Sequence, residues 1–394
     1  MKEDKDKVAI VVVGYNRINS MNRLLDSLLH ADYQNYDVPL IISLDNCGSL
    51  ELYDFARGFE WPFGTKKVIL HEKRLGLKNH IFSCCDLSQF YKAVIILEDD
   101  LYVGPVFYGY TVEAVNKYEE CDNVAGIALM HNEMNGYVGL PFTPLQNEYC
   151  AFAMQETCTW GECFTWSMWH KFREWLVQNE DTYKKVDMPD IIKNWTRAWS
   201  KYHNAYLVDT DRYFIYPYIS YSTVFNDAGE HGGIGSPDIQ VNIIQGKKDF
   251  FFGDFDLLVK YDIYINNIDL YNKLKLSKAD LCLDLYGNNQ NMKQSRYLLT
   301  VKKLHYKILN RYALQLRPQE LNVFNSIDGN DILLYDTKQL TSKKKGKKTI
   351  GINVINYHLR GFNKRYLVKY SFNYLIRGIL RKLYIKNNLK NENN

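Results

Sequence analysis

An apolar run that ends in three consecutive carboxylates, AVIILEDD from Ala93 to Asp100, is the part of this sequence best suited to chemistry. Adjacent carboxylates repel one another and raise each other's pKa unless a positive charge stands among them. Hard divalent ions such as Mg2+ and Mn2+ take oxygen ligands and leave positions open for substrate phosphates. Glu98, Asp99 and Asp100 at the end of a buried strand therefore point to a metal-diphosphate site. The plain alternative is a solvated acidic loop, and the surrounding elements decide between the two.

Those elements alternate. Lys7–Val13 is a continuous β-branched run, followed by a GYNR turn and a helix whose Met21, Leu24, Leu25, Leu28 and Leu29 fall at helical spacing, with Asn19 or Ser20 available as its cap. Val38–Leu44 reads as a second strand that stops at Asp45, Asn46 and Gly48. A helix around Leu50–Phe59, a strand at Lys67–Leu70, a helix within Asn79–Tyr91 and a strand at Ala93–Leu97 follow. Strand and helix in this order predict an α/β domain with a mostly parallel sheet flanked by helices. Ligands of such open sheets bind outside the carboxyl ends of the strands. Arg17, Asp45, the loop Arg74–Asn79 and Glu98–Asp100 all follow predicted strand ends and are expected to converge on one crevice.

Between Cys150 and Trp199 the chain is dense in tryptophan. Trp166, Trp169 and Trp175 are expected on the core side of a helix, and the Trp160-Gly161-Glu162 turn is expected to open that helix beside a sugar pocket. Further on, Asn226–Gly233 (NDAGEHGG) is rich in glycine and carries His231, which could be an incidental loop histidine or a metal ligand. The clean alternation is lost from about residue 246. The expected domains are 1–245 for the α/β domain, 246–340 for a smaller C-terminal extension, and 341–394 for a basic amphipathic tail.

Charge separates the tail from the rest. The chain carries a net +4, yet Thr341–Asn394 holds 14 Lys and Arg against one acid, so residues 1–340 carry −9. A body of that sign argues against a nucleic-acid partner. In the tail, Val368, Phe372, Leu375, Ile376, Ile379 and Leu383 share a helix face near Arg377 and Arg381, behind the Lys343–Lys348 cluster. That combination suits an anionic membrane surface. No stretch is apolar enough to span a bilayer, and the polar start MKEDKDK lacks a signal-peptide core. The expectation is a cytoplasmic protein, peripheral on the inner face of the membrane. Its eight cysteines lack CxxC spacing and are expected as free thiols, so the sequon Asn194-Trp195-Thr196 carries no meaning.

Taken in order, VVVGYNR, IISLDNCG, VIILEDDLYVGPVFYGY, TWGECFTW and IYPYISYSTVFNDAGEH resemble the GT-A fold of nucleotide-sugar glycosyltransferases. Within that fold the resemblance is to the N-acetylglucosaminyltransferase I type and its bacterial polysaccharide-assembly relatives, and it covers roughly Val8 to His231. It implies that Arg17 and Asp45 contact the nucleotide of a nucleotide-sugar donor, with Asp99 beside them. It also implies that Asp100 binds Mn2+ or Mg2+, and that His231 completes the metal shell. The implied reaction is transfer from a UDP-sugar, with inversion, to a hydroxyl of a glycan or lipid-linked acceptor in bacterial surface polysaccharide synthesis. The family's catalytic carboxylate near a tryptophan is replaced here by Asn194 in KNWTRAW, which leaves Glu162 and Asp190 as candidate bases. Two alternatives stand beside this reading. One is a catalytically inactive GT-A-fold sugar-binding or scaffold protein. The other is a nucleotidyltransferase, although GYNRINS is not the glycine-rich basic loop such an enzyme needs.

Overall fold

The computed structural model describes residues 4–225, 227, 239–246, 249–289, 295–341 and 351–376. Its first half follows the hydrophobic runs closely. Strand β1 (Asp4–Gly14) is buried from Val8 onward, and β2 (Leu40–Leu44) is buried throughout. Strands with both faces covered read as unbroken apolar runs, which is why the β-branched segments lie at the centre of the sheet. Helix α1 (Ile18–Leu29) turns Met21, Leu24, Leu25 and Leu28 inward. It starts directly after Arg17 with no side-chain cap, so neither Asn19 nor Ser20 caps it. Helix α2 (Leu50–Gly58) is capped by Ser49, whose Oγ accepts from the amide of Leu52. Strand β3 (Lys66–Leu70), helix α3 (Leu77–Cys85) and a 3-10 turn at Asp86–Phe90 lead into β4 (Tyr91–Glu98).

The middle of the chain completes the sheet. It supplies β5 (Leu101–Val103), α4 (Phe107–Tyr118), β6 (Val124–Ala128) and a short hairpin of β7 (Met134–Asn135) with β8 (Leu140–Pro141). After these come β9 (Ala151–Met154), β10 (Glu162–Thr165), α5 (Trp166–Asn179), α6 (Asp190–Lys193), α7 (Ser200–Asp209), β11 (Tyr213–Pro217), β12 (Ser222–Val224) and β13 (Lys260–Tyr261). Nine strands lie in the order β13-β9-β11-β6-β10-β4-β1-β2-β3. The neighbours β3, β2, β1 and β4 are parallel, and so are β6 and β11, while β10 runs antiparallel between β4 and β6. The result is the α/β architecture, mostly parallel and flanked by helices, that the sequence pattern implies. Two aromatic groups seat the helices. Tyr33 packs against Phe107 and Tyr108 of α4, and Phe82, Trp169, Phe172, Trp199 and His203 join α3, α5 and α7. Trp169 is a core residue as expected, whereas Trp166 stays partly exposed and stacks on His170.

One local expectation fails. The Trp160-Gly161-Glu162 turn opens strand β10, not the helix. Glu162 to Thr165 are buried and hydrogen-bonded toward β4, and Glu162 and Cys163 toward β6 as well, so the sheet claims them first. The helix begins four residues later, where Thr165 Oγ1 accepts from the amide of Met168.

The described residues up to Thr341 fall in one compact unit. The extension first contributes β13 to the large sheet, and Tyr261 Oη donates to Glu320 Oε1 at 2.5 Å, tying the two parts together. It then adds α8 (Asp269–Leu274), β14 (Leu281–Asp284), β15 (Tyr297–Thr300), β16 (Tyr306–Tyr312), α9 (Leu321–Phe324) and β17 (Ile332–Leu340). Its four strands make a second sheet in the order β14-β15-β17-β16 around Cys282, Leu298, Leu333 and Tyr335. Residues 350–394 form a second unit, in which α10 (Ile352–Leu359) and residues 364–376 are helical. All eight cysteines are free thiols.

Candidate active site

Backbone hydrogen bonds gather the strand ends before any side chain is considered. The amide of Asp45 donates to Gly14 O, that of Asp99 to Val13 O and that of His71 to Leu44 O, so the chain leaves β1, β2, β3 and β4 at one rim. Side chains then bind the loops to one another. Arg17 sends Nη2 to Asp99 Oδ1 and Nη1 to Asp100 Oδ2, the latter at 3.1 Å. Arg74 lies over the ring of Tyr15 at 4.8 Å. Asp45 Oδ1 accepts from the amides of Asn46 and Leu75, and its Oδ2 accepts from Gly76 at 2.9 Å. The expected convergence of Arg17, Asp45, the Arg74 loop and the acidic triplet is therefore present.

The electrostatics distinguish the carboxylates by role. Asp45 is buried, and burial alone would raise its pKa, but the three amides more than offset this and hold it below the ordinary value. These bonds fix the loop after β3. Beneath it, Ser43 Oγ meets His80 Nε2 at 2.8 Å and His71 Nε2 at 3.3 Å, and burial lowers His80 to about 4. Asp99 is pushed up to about 6 by burial against the opposing pull of Arg17. Glu98 rises to about 8, first through burial and then through Asp100 and Asp99. The Arg17 guanidinium stays charged, because Asp99 and Asp100 outweigh its desolvation.

Glu162 stands at the start of β10, 2% exposed, and its register places it diagonally across from Glu98 on β4. Burial and then Glu98 raise its pKa well above the ordinary value, and its Oε2 is buried with no hydrogen-bond partner among the described residues. Gly161 precedes it at φ +93, where a Cβ would lie 2.9 Å from Ser222 Oγ and 3.1 Å from Leu129 Cβ. Asp190, the other candidate base, is exposed in the single-turn helix α6, and Asn194 follows it at that helix's C-cap. His231 lies outside the described residues.

The structure adds two residues that spacing did not single out, Arg23 and Asp227. Asp227 accepts from Ser20 Oγ at 2.7 Å and from Arg23, whose guanidinium also covers the Phe225 ring at 3.7 Å. The amide of Phe225 donates to Asp100 O at 2.8 Å, and β12 pairs antiparallel with β5 just beyond the triplet. Asp227 is held below its usual value despite burial by its bonds to Arg23 and Ser20, with Arg17 helping. Phe225 and Asp227 thus flank the rim beside Asp100. The only signals in the sequence were a polar pair three residues apart on an otherwise apolar helix face and the acid within NDAGEHGG.

Among the described residues no group of three or more His, Cys, Asp and Glu could by itself hold a metal ion. A small divalent ion needs less from the protein, since one or two carboxylates suffice when phosphates and water supply the rest. Asp99 Oδ2, buried and without a hydrogen-bond partner among the described residues, and the partly exposed Asp100 beside it meet that requirement. The donor set fits a metal-diphosphate complex better than a bare ion.

No family model and no curated protein matches the sequence. Solved structures do, distantly. TarS 1–349 of S. aureus in complex with UDP-GlcNAc is similar at a TM-score of 0.36 and 15% identity, over 57% of this chain and 60% of that one. The mannosyltransferase PcManGT from Pyrobaculum calidifontis, in complex with GDP-Man and Mn2+, gives 0.33 and 12%, over 56% and 59%. GalNAc-T7 with UDP, GalNAc and Mn2+ gives 0.37 and 13%, over 54% and 42%. The chain spans about 60% or less of the length of these proteins. Scores this low leave the chemistry to be argued from this chain's own residues.

Proposed function

We propose that the rim binds a nucleoside-diphosphate sugar, with UDP as its nucleotide, together with Mn2+ or Mg2+, and that the protein is a GT-A glycosyltransferase. One observation carries the reading. Asp99 and Asp100 stand together at the carboxyl end of the central strand β4, bridged by Arg17, with one Asp99 oxygen buried and unpartnered among the described residues. Asp100 and Asp99 would hold the cation, and Arg17 with the N-terminal end of α1 would face the phosphates. When bound, a divalent cation offsets the charge that develops on a departing diphosphate. Asp45 fixes the loop that lines the nucleotide side. Of the two candidate bases, Glu162 is the one beside the acidic triplet, and it must lose its proton before it can accept one from an acceptor hydroxyl. Attack from the face opposite the diphosphate would invert the anomeric centre.

The acceptor is proposed to be a glycan or a lipid-linked saccharide of a bacterial surface polysaccharide, reached at the inner face of the membrane. Support for the location comes from the second unit, where Val368, Phe372 and Leu375 are exposed on residues 364–376 beside Lys364, Arg365 and Lys369. Among the described residues no helix is long and apolar enough to cross a membrane. The Lys343–Lys348 cluster, Ile379 and Leu383 lie outside the described residues.

Asp100→Ala tests the reading. The variant should lose sugar transfer and Mn2+-dependent binding of UDP, measured by calorimetry, while it stays folded, since Arg17 keeps its bond to Asp99. Retained Mn2+-dependent binding would return the triplet to a solvated acidic loop. Mn2+-dependent binding in the wild type without any transfer would favour the inactive sugar-binding alternative.

A further inference from the structure

Arg17 occupies the position a cation would take. Its planar fork reaches both carboxylates at once, with one arm on Asp99 Oδ1 and the other on Asp100 Oδ2. The pair is well sheltered, the three side chains being 20%, 4% and 24% exposed for Arg17, Asp99 and Asp100. We infer that Arg17 is an internal counterion that a divalent cation and a diphosphate must displace together, so that each ligand binds well only in the presence of the other. The inference rests on the function proposed above and concerns the order in which that site fills.

Removing one partner of a buried ion pair leaves an uncompensated charge, which is strongly unfavourable. Arg17 can therefore leave Asp100 only when another cation arrives, and the guanidinium then needs another anion. Asp227 attracts Arg17 only through space, because its oxygens are bonded to Ser20 and Arg23. A metal ion alone would press against the guanidinium at short range. A diphosphate alone would meet Asp99 and Asp100. Arriving together, the metal takes the carboxylate oxygens while a phosphate takes the guanidinium, and every charge keeps a partner. Such mutual dependence is a coupling free energy between two ligands.

Titration calorimetry with Mn2+, in the presence and absence of UDP, tests this in wild type, Arg17→Gln and Arg17→Lys. For wild type, UDP should raise the Mn2+ affinity by at least ~10-fold, within the usual range of such coupling. Arg17→Gln should bind Mn2+ alone roughly 10-fold more tightly than wild type and lose most of the enhancement by UDP. Arg17→Lys should fall between them, since an ammonium cannot fork to both carboxylates. It also keeps the test decisive if the glutamine variant fails to fold. Equal Mn2+ affinity in wild type and the folded variants, or undiminished enhancement by UDP, overturns the counterion role while leaving the donor site standing. Wild type that binds Mn2+ under neither condition overturns the donor site itself.

Discussion

The three consecutive acids at the end of β4 are chemically alike in sequence and unlike in the fold. Glu98 is raised to about 8 from 4.5, so the folded protein holds a proton there that the unfolded chain releases. The sign follows directly. Between those two values the native state binds more protons than the unfolded state, and stability falls as pH rises from about 4.5 to about 8. Glu162 adds a slope of the same sign, since burial and Glu98 raise it too. Glu98→Gln should therefore flatten the pH dependence and make the protein more stable than wild type at pH 8, read from urea unfolding in EDTA. A variant no more stable at pH 8 than at pH 5, relative to wild type, would place Glu98 in water. Asp45 has the opposite sign. Its lowered pKa contributes stability above the ordinary carboxylate range, and this is lost as acid protonates it.

At the scale of the element, β10 decides how much of the site the sequence discloses. The strands β1 to β4 were legible because their apolar runs are uninterrupted and their polar residues begin where the strands stop. Arg17 and the triplet were legible for the same reason, as residues just past a strand end. The four residues Glu162–Thr165 were not, since a short segment followed by a tryptophan-rich helical pattern does not reveal that it will be claimed by two strands more than 30 residues upstream. Asp227 was hidden likewise, because its partners Ser20 and Arg23 lie some 200 residues away and no local period encodes that meeting. Gly161 is the hinge of this arrangement. At φ +93 and pressed on Ser222 and Leu129, it admits no side chain without strain of about 1–3 kcal/mol. Gly161→Ala should lower the urea midpoint accordingly and displace Glu162. An unchanged midpoint would mean that the turn relaxes freely.

For the whole molecule, the division at residue 349 separates a compact α/β body from a basic tail. About 1 kcal/mol per basic residue near an anionic surface, added to an apolar helix face, gives two weak attachments that become firm together. Full-length protein should sediment with phosphatidylserine vesicles at low salt, whereas a chain ending at Leu340 should stay in the supernatant and still bind UDP with Mn2+. Equal partitioning would remove the tail from membrane attachment. The placement of β10 also bears on synthesis. While the ribosome has delivered only the first 160 residues, β4 and β6 are complete yet cannot pair with each other, since the strand that belongs between them is not yet made. One edge of β4 and both edges of β6, whose other neighbour β11 also comes later, are thus open on the nascent chain, each able to recruit a foreign strand. Translation through Glu162–Thr165 seals the edge of β4 and the near edge of β6, so a pause before that point lengthens the time β4 is at risk, whereas the far edge of β6 waits for Tyr213–Pro217.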